Sequence, residues 1–173
     1  MLQPSQRQAP GPLRTTYTVA SGPYDTLNNF TAWSVGPGAA YTSAMSITGS
    51  FTTAAPFGPN HPVGTDITSQ LVSFCLSDGV NTCASTDPNV RAYQFNVVTD
   101  ASGDITIASV LIEKWQTGGS AHSAGDRVAS MNLNGPTINQ ALTNFSCSKV
   151  GATTSSGQPD VCMLQRTTRA AAA

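Results

Sequence analysis

The chain has 173 residues and a mass of 17.9 kDa, which suits a single domain with a substantial core. Only 10% of the residues are charged, against about 25% in typical soluble domains, and the net charge is −1. This balance excludes the concentrated basic surface that nucleic-acid binding requires. No apolar run approaches the roughly 18 residues of a membrane helix, so we expect no membrane span.

The first part of the chain predicts a loose arm followed by antiparallel strands. Residues 1–13 are rich in Pro and Gln and have no apolar period, so we interpret them as the arm that precedes a single β domain at 14–165. Residues 14–20 are a short candidate strand. In residues 44–53, apolar and hydroxyl side chains alternate strictly, which is typical of a half-buried antiparallel strand. Three prolines and two glycines predict a loop at 54–64.

Two cysteines, Cys75 and Cys83, flank a Ser-Asp-Gly turn. If Asp78–Val80 forms a three-residue hairpin loop, these cysteines stand directly opposite each other, at a spacing that suits a disulfide. The spacings of the four cysteines match neither zinc knuckles nor a Cys-x-x-Cys redox pair. We therefore predict two disulfides, Cys75–Cys83 and Cys147–Cys162, with four buried free thiols as the alternative. Disulfides persist outside the cytoplasm, which predicts an exported protein.

Further strands are predicted on both sides of a longer hairpin. Residues 66–77 lead into the cysteine hairpin, and residues 90–99 and 104–116 flank the turn Asp100–Gly103. In that turn, Asp100 is placed to accept backbone N–H groups and Gly103 tolerates a positive φ. Residues 118–126 are rich in Gly and Ser and predict a loop.

The C-terminal part completes the pattern. Residues 127–133 predict a strand, residues 137–145 carry the only helix-compatible pattern, and residues 166–173 predict a disordered tail. Short strands separated by turn signals predict a single antiparallel β-sandwich or barrel, stapled by the two disulfides. The predicted core consists of Met45, Ile47, Phe51, Val72, Phe74, Leu76, Tyr93, Phe95, Val97, Ile105, Ile107 and Leu111.

Several segments carry a resemblance to a bacterial family. The stretches MSITGSFTTAAPFGPN (45–60), DITSQLVSFCLSDGVNT (66–82) and FNVVTDASGDITIASVLIEKWQ (95–116) contain an I-x-G-S-F strand, an F-x-x-S-D-G turn and a T-D-A-S-G-x-I turn. Over residues 15–165 this order resembles the ectodomain of PEP-CTERM proteins. The segment 144–162 is similar to the cysteine-containing end of those domains.

The resemblance implies export from a Gram-negative bacterium with an exopolysaccharide-producing lifestyle, and it implies no reaction. The family's Pro-Glu-Pro sorting motif does not follow Cys162, and no signal peptide precedes the domain, as expected of a shortened form of an exported chain. We therefore expect a non-catalytic protein of the cell surface or the extracellular matrix.

One cluster has the residue types of a hydrolase. His122 lies beside Ser123 and close to Asp126 in the Gly-rich loop. A Ser-His-Asp site needs these groups to converge in space beside an oxyanion hole, and the sequence has no G-x-S-x-G motif. We therefore favour a solvated loop and keep a secreted hydrolase as the alternative function.

A second cluster has the residue types of a cation site. Asp100 and Asp104 are candidates to supply oxygen ligands to calcium, but the twelve-residue loop pattern with its terminal Glu is missing. Turn formation explains both aspartates without a metal, so we expect no cofactor and retain calcium as the alternative.

Aromatic residues suggest how a non-catalytic domain acts. Trp33, Trp115, Tyr24 and Tyr41 are candidates to stack on sugar rings, whereas the alternative is that the tryptophans fill the ends of the domain. Few charges are available to attract a charged ligand. The hypothesis from the sequence is weak binding of extracellular polysaccharide through a β face and these aromatic residues.

Overall fold

A computed structural model of the chain describes residues 13–27, 41–119, 121–135, 138–153 and 159–166. Within these ranges the protein is nearly all β, its sheets are antiparallel, and it contains no α-helix. The prediction of an all-β antiparallel fold is therefore confirmed. None of the described helical segments is long and apolar enough to cross a membrane.

The strands form one sheet of four and one of six. In chain order they are β1 Thr15–Ala20, β2 Thr48–Thr53, β3 Thr65–Asp66, β4 Leu71–Ser77, β5 Thr82–Ala84, β6 Val90–Thr99, β7 Ile105–Trp115, β8 Arg127–Asn134, β9 Ile138–Thr153 and β10 Pro159–Arg166, and a 3-10 turn at Thr68–Gln70 precedes β4. The four-stranded sheet has the order β1-β2-β4-β5, and the six-stranded sheet has the order β10-β9-β8-β7-β6-β3.

The two sheets face each other across one aromatic core. Phe51 on β2 and Phe74 on β4 project from the four-stranded sheet onto Phe95 of β6, with ring centroids 5.5 and 5.2 Å apart. All three side chains are buried, and Val110 and Ile112 of β7 extend the same cluster. Burial of such side chains is the main favourable contribution to folding.

Three residues of the predicted core are exposed, because irregularities in strand pairing change which side they face. Between the pairs Thr52–Ser73 and Thr53–Leu71 the register shifts, so Leu71 packs on the core while Val72 faces solvent. A second shift lies between the pairs Val98–Ile107 and Thr99–Ile105. It turns Ile107, and with it Leu111, to the outer face of the six-stranded sheet.

A glycine in the I-x-G-S-F stretch permits close pairing of β2 with β4. Gly49 has a φ of +146°, and a Cβ at this position would collide with the carbonyl oxygen of Cys75. Only glycine therefore fits here, which gives a physical reason for this part of the motif.

The only helix-compatible segment of the sequence is a strand. β9 starts at Ile138 and pairs with β8 from Asn134 back to Arg127. One extra residue of β9 between Leu142 and Phe145 forms a bulge, in which Asn144 has a φ of +62°. Pairing with an existing sheet edge overrides the weak local preference.

One of the two predicted disulfides is present and the other is absent. Cys147 and Cys162 are bonded, with Cα atoms 5.7 Å apart, whereas Cys75 and Cys83 are free thiols. The β4–β5 hairpin has four connecting residues rather than three, so Leu76 and not Cys75 pairs with Cys83. Cys75 consequently faces solvent while Cys83 points into the core, and their prediction as a pair was wrong.

A second, smaller core lies at one end of the six-stranded sheet. It contains Trp115, Val128 and Phe145, together with the disulfide Cys147–Cys162. Trp115 is three residues from Ile112 along β7 and therefore projects from the opposite face of the sheet. The outer face of this sheet thus has a covered end and an open part.

Candidate functional site

Two of the predicted sugar-stacking residues instead hold the β4–β5 turn. The Tyr41 hydroxyl donates to the Asp78 carboxylate at 2.7 Å, and the Tyr24 hydroxyl donates to the Asp78 carbonyl at 3.1 Å. Asp78 is fully buried, and its carboxylate also accepts the backbone N–H groups of Val80 and Asn81. We call Tyr24, Tyr41, Asp78 and Asn81 the Asp78 cluster.

The electrostatics of the Asp78 cluster favour neutral tyrosines. Burial, followed by the hydrogen bond to Asp78, raises the pKa of Tyr41 far above its usual value. Burial and the charge of Asp78 raise the pKa of Tyr24 in the same direction. Both hydroxyls therefore stay protonated as donors to Asp78.

The predicted stacking residue Trp115 is also covered. His122 lies flat on the indole, with ring centroids 4.3 Å apart and an angle of 3° between the planes. The Trp115 Nε1–H donates to the backbone carbonyl of Asp160 at 2.8 Å. Trp115 is 2% exposed, so it fills the small core as the alternative interpretation expected. Trp33 lies outside the described residues.

The predicted catalytic residues fall into two separate contacts. His122 Nδ1 lies 2.5 Å from Asp160 Oδ2, and the Asp160 carboxylate also accepts the His122 backbone N–H. Ser123 instead bonds to Asp126, through a backbone N–H donated at 2.9 Å and a hydroxyl 3.5 Å from the carboxylate. Asp126 therefore bonds to Ser123 within its own loop, and the carboxylate that contacts His122 is that of Asp160.

The His122–Asp160 pair resembles the base half of a catalytic triad without its nucleophile. An ionised carboxylate accepts from Nδ1–H and leaves Nε2 as the basic nitrogen. Nε2 is buried, and no described group bonds to it. Partial burial raises the pKa of Asp160, but the hydrogen bonds from His122 outweigh this and bring the pKa below its usual value. The arrangement fastens the 117–126 loop to the start of β10.

Asp160 was not singled out in the sequence, although it completes this cluster. It lies 38 residues after His122, adopts a φ of +63°, and bonds to the loop through its carboxylate. Non-glycine residues with positive φ are uncommon, and Asp is among those that tolerate it. No local pattern connects two residues at this separation, so only the tertiary structure identifies the pair.

The two aspartates considered for calcium lie in one hairpin turn. Asp100 Oδ1 accepts the backbone N–H groups of Ser102 at 2.8 Å and of Asp104 at 3.1 Å. The turn role proposed for Asp100 is thereby visible in its contacts. Among the residues that the structure describes, no group of three or more acidic, His or Cys side chains is arranged to hold a metal ion.

The open part of the six-stranded sheet presents rows of mostly uncharged polar side chains, with the exposed Asp66 of β3 opposite Asn96 at one end. Asn96, Ser109 and Asn134 pair across β6, β7 and β8. A neighbouring row runs from Gln94 through Leu111 to further amides on β8 and β9. We call this surface the amide face, and it consists of Gln94, Asn96, Ser109, Leu111, Asn132, Asn134 and Gln140, with Val98 and Ile107 at its border.

A shallow cleft of about 210 Å³ lies at the border of the amide face, between Val63 and Ile107. Asn96 lines it, and the side-chain oxygen Oδ1 of Asn96 is buried without a hydrogen-bond partner among the described residues. Ile107 and Leu111 are 41% and 40% exposed. The face therefore combines polar side chains with accessible apolar surface. In the sequence, only the alternation of amides with core residues in QFNV indicated such a face.

No family model, no curated protein and no solved structure matches this chain.

Proposed function

We propose that this protein is a non-catalytic exported module of the cell surface or extracellular matrix, and that it binds neutral polysaccharide weakly through the amide face. The observation that carries the proposal is the uncharged row Asn96–Ser109–Asn134, which borders exposed Ile107 and Leu111. Amide and hydroxyl groups exchange hydrogen bonds with sugar hydroxyls in both directions, because an amide has both donors and acceptors. The apolar side chains suit the C–H faces of sugar rings.

The expected affinity is low and insensitive to salt. A shallow cleft buries little ligand surface, which favours dissociation constants in the micromolar to millimolar range, or about −8 to −4 kcal/mol. The amide face itself has no charged side chain, although Asp66 pairs with Asn96 at one edge and Glu113 follows Leu111 by two residues along β7. A neutral sugar forms no ion pair with these carboxylates, so screening by salt has little to weaken. The aromatic contribution expected from the sequence is replaced here by amides and aliphatic side chains.

Export and family membership are part of the same proposal. The Cys147–Cys162 disulfide supports an oxidising location, where such bonds persist. The resemblance to PEP-CTERM ectodomains supports a cell-surface or matrix role beside exopolysaccharide. The His122–Asp160 pair does not favour the hydrolase alternative, since no described hydroxyl contacts the buried Nε2.

Affinity electrophoresis through gels that contain neutral polysaccharides, such as dextran or a β-glucan, tests the proposal. Leu111→Lys places a charge in the centre of the amide face, and Val72→Lys is its matched control. Val72 is also an exposed strand residue, at 39% against 40% for Leu111, and it lies on the other sheet.

We expect retardation of the wild type and of Val72→Lys, and at least tenfold weaker binding by Leu111→Lys. Circular dichroism of all three proteins controls for folding. The proposal is wrong if no neutral polysaccharide retards the wild type, or if both variants lose binding equally while remaining folded.

A further inference from the structure

The four edges of the two sheets differ in how they are protected against pairing with another chain. β3 has two residues and β5 has three, so each is too short to template a strand. β10 contains two register shifts and ends at Arg166. β1 has six residues, TTYTVA, with no charge, no proline and no register shift. Short edges, bulges and charges normally block edge pairing, and β1 has none of these devices.

The free side of β1 presents a regular row of backbone groups. The Ser21 N–H donates to the Ile47 carbonyl at 2.8 Å, which fixes the alternation of hydrogen bonds with β2. By that alternation, the N–H and C=O groups of Thr16, Thr18 and Ala20 point away from β2. In the part of the chain that the structure describes, no strand pairs with this side of β1.

A groove of about 800 Å³ runs along the free side of β1. Its walls and floor include Phe51 under β1 and Ile105, Ala108 and Leu133 from the facing sheet. Because the facing sheet has six strands and the sheet of β1 has four, the space beside β1 has a sheet beneath it and no described strand within it. Among the residues described around the groove, only Asp25 carries a charge.

One end of the groove is crossed by a side-chain bridge. Asn139 Nδ2 donates to the Gly22 carbonyl at 2.6 Å and so ties the segment after β1 to β9. The other side-chain atom of this amide, Oδ1, is buried and has no partner among the described residues. The amide that borders the groove therefore has unused hydrogen-bonding capacity.

We propose that β1 accepts an added β-strand: an extended, uncharged peptide segment of another polypeptide, which lies in this groove and pairs with Thr16, Thr18 and Ala20. An extended strand has its own row of N–H and C=O groups with the same two-residue repeat, which a polysaccharide lacks. Six residues match the length of β1. Alternate side chains of the segment face the apolar floor at Ala108 and Leu133, so they are apolar. This site is independent of the amide face.

Two probe peptides test the proposal on the whole protein. The first is a fluorescein-labelled hexapeptide of alternating Thr and Val with blocked ends, and the second is the same peptide N-methylated at alternate residues. The second peptide keeps the side chains but loses the donors of one edge. Fluorescence anisotropy measures binding, and amide hydrogen exchange measures protection at Thr16, Thr18 and Ala20.

Two glycines provide a matched pair of variants. A side chain at Gly22, which lines the groove, or at Gly58, which does not, meets no atom within 4 Å of its Cβ. Gly22→Trp fills the groove, whereas Gly58→Trp adds the same indole elsewhere. We expect at least tenfold weaker binding for Gly22→Trp, and binding within twofold of the wild type for Gly58→Trp.

If Gly22→Trp fails to fold, the comparison of the unmodified with the N-methylated peptide on the wild type still tests the proposal. On the wild type, N-methylation is expected to weaken binding at least tenfold, and the unmodified peptide to slow exchange at the three outward N–H groups. Equal binding of both peptides, or unchanged exchange at those groups, overturns the proposal. Displacement of the peptide by dextran at equal efficiency in both glycine variants also overturns it, because the ligand then binds outside the groove.

Discussion

The two cysteine-bearing hairpins of this protein look alike in sequence and differ in structure. Cys147 and Cys162 lie together in the small core and are bonded. Cys75 and Cys83 are separated by fewer residues, yet one is exposed and the other is buried. The difference arises because side chains alternate between the faces of a strand, so that one added turn residue moves a cysteine to the opposite face.

The comparison shows that proximity along the chain is a poor guide to disulfide pairing in hairpins. In the β4–β5 hairpin, the regular pairing of Leu76 with Cys83 leaves no freedom to bring the thiols together. In the β9–β10 hairpin, register shifts near Cys162 permit an approach that a regular ladder would not. Burial raises the pKa of the unpaired Cys83 thiol to about 12, so it stays protonated and unreactive in the folded protein.

The largest effect is expected where the turn that sets the β4–β5 register is broken. Asp78→Ala removes the buried acceptor of Tyr41, Asn81 and Val80 and leaves their partly buried donors without it. Such losses cost about 3–5 kcal/mol in the free energy of unfolding, measured by urea denaturation. Asp100→Ala, in the exposed turn of the other hairpin, is the control and is expected to cost about 1 kcal/mol or less. Equal losses would contradict the structural role of the buried turn.

Removal of the bonded cysteine pair is expected to have the next largest effect. The Cys147→Ser/Cys162→Ser variant loses the constraint on a loop with a sequence separation of 15, which corresponds to about 3 kcal/mol. Cys75→Ser changes an exposed free thiol and is expected to alter stability by less than about 0.5 kcal/mol. Thermal and urea unfolding check both values. A loss of about 3 kcal/mol in the free energy of unfolding of Cys75→Ser would contradict the assignment of Cys75 as a free thiol.

Moving the cysteine from position 83 to position 84 is expected to create a disulfide in the β4–β5 hairpin. Cys75 pairs with Ala84, and the bond from the Asp78 N–H to the Asn81 carbonyl places that pair at a non-hydrogen-bonded site. The Cys83→Ala/Ala84→Cys variant is therefore expected to form a disulfide between Cys75 and the thiol introduced at position 84. We expect the oxidised variant to be more stable than its reduced form by about 2 kcal/mol.

Peptide mapping without reduction identifies the cross-link, and unfolding of the oxidised and reduced forms gives its contribution. The wild type is the control, and it is expected to keep Cys75 and Cys83 as free thiols. A Cys75–Cys83 cross-link in the folded wild type would contradict the observed register.

The smallest effect is expected from loss of the contact between His122 and Asp160. The pKa of Asp160 is lower in the folded chain than its usual value of about 3.9. Its contribution to stability is therefore present above about pH 4 and is lost as the pH falls through the folded pKa. The wild type should lose more stability than Asp160→Asn between about pH 5 and pH 2, by less than about 1 kcal/mol. Parallel acid titrations of both proteins check this, and identical profiles would contradict it.

Much of the fold was predictable from the sequence because its signals are local. Alternation of side chains indicated β2, β6 and the start of β7, and the turn role of Asp100 followed from its own position in Asp-Ala-Ser-Gly. The errors have a common origin. Bulges in the pairing exposed Val72 and Ile107, and a sheet edge converted a helix-compatible segment into β9. Bulges and edges depend on the partner strand, which a local pattern does not contain.

The candidate sites were less predictable than the fold. The chemistry-bearing residues His122, Ser123 and Asp126 are neighbours in the sequence, but the partner of His122 is the distant Asp160. The sequence indicated Tyr24 and Tyr41 as ligand-binding rings, whereas in the structure their hydroxyls donate hydrogen bonds to Asp78. The amide face depends on the lateral order of strands, which places Asn96, Ser109 and Asn134 in one row.

By itself, the sequence determined an all-β antiparallel chain of low charge, with a core built from alternating apolar residues. The tertiary structure alone decided which cysteines pair, which aromatic rings are covered, and that β1 is an edge beside a groove among the strands that the structure describes. The physical reason is that alternation and turn chemistry act over a few residues and are written in the chain. The pairing register, the face to which each side chain points and the strands that form the sheet edges all depend on how two strands pair. In the six-stranded sheet, that pairing is set by contacts between residues far apart in sequence.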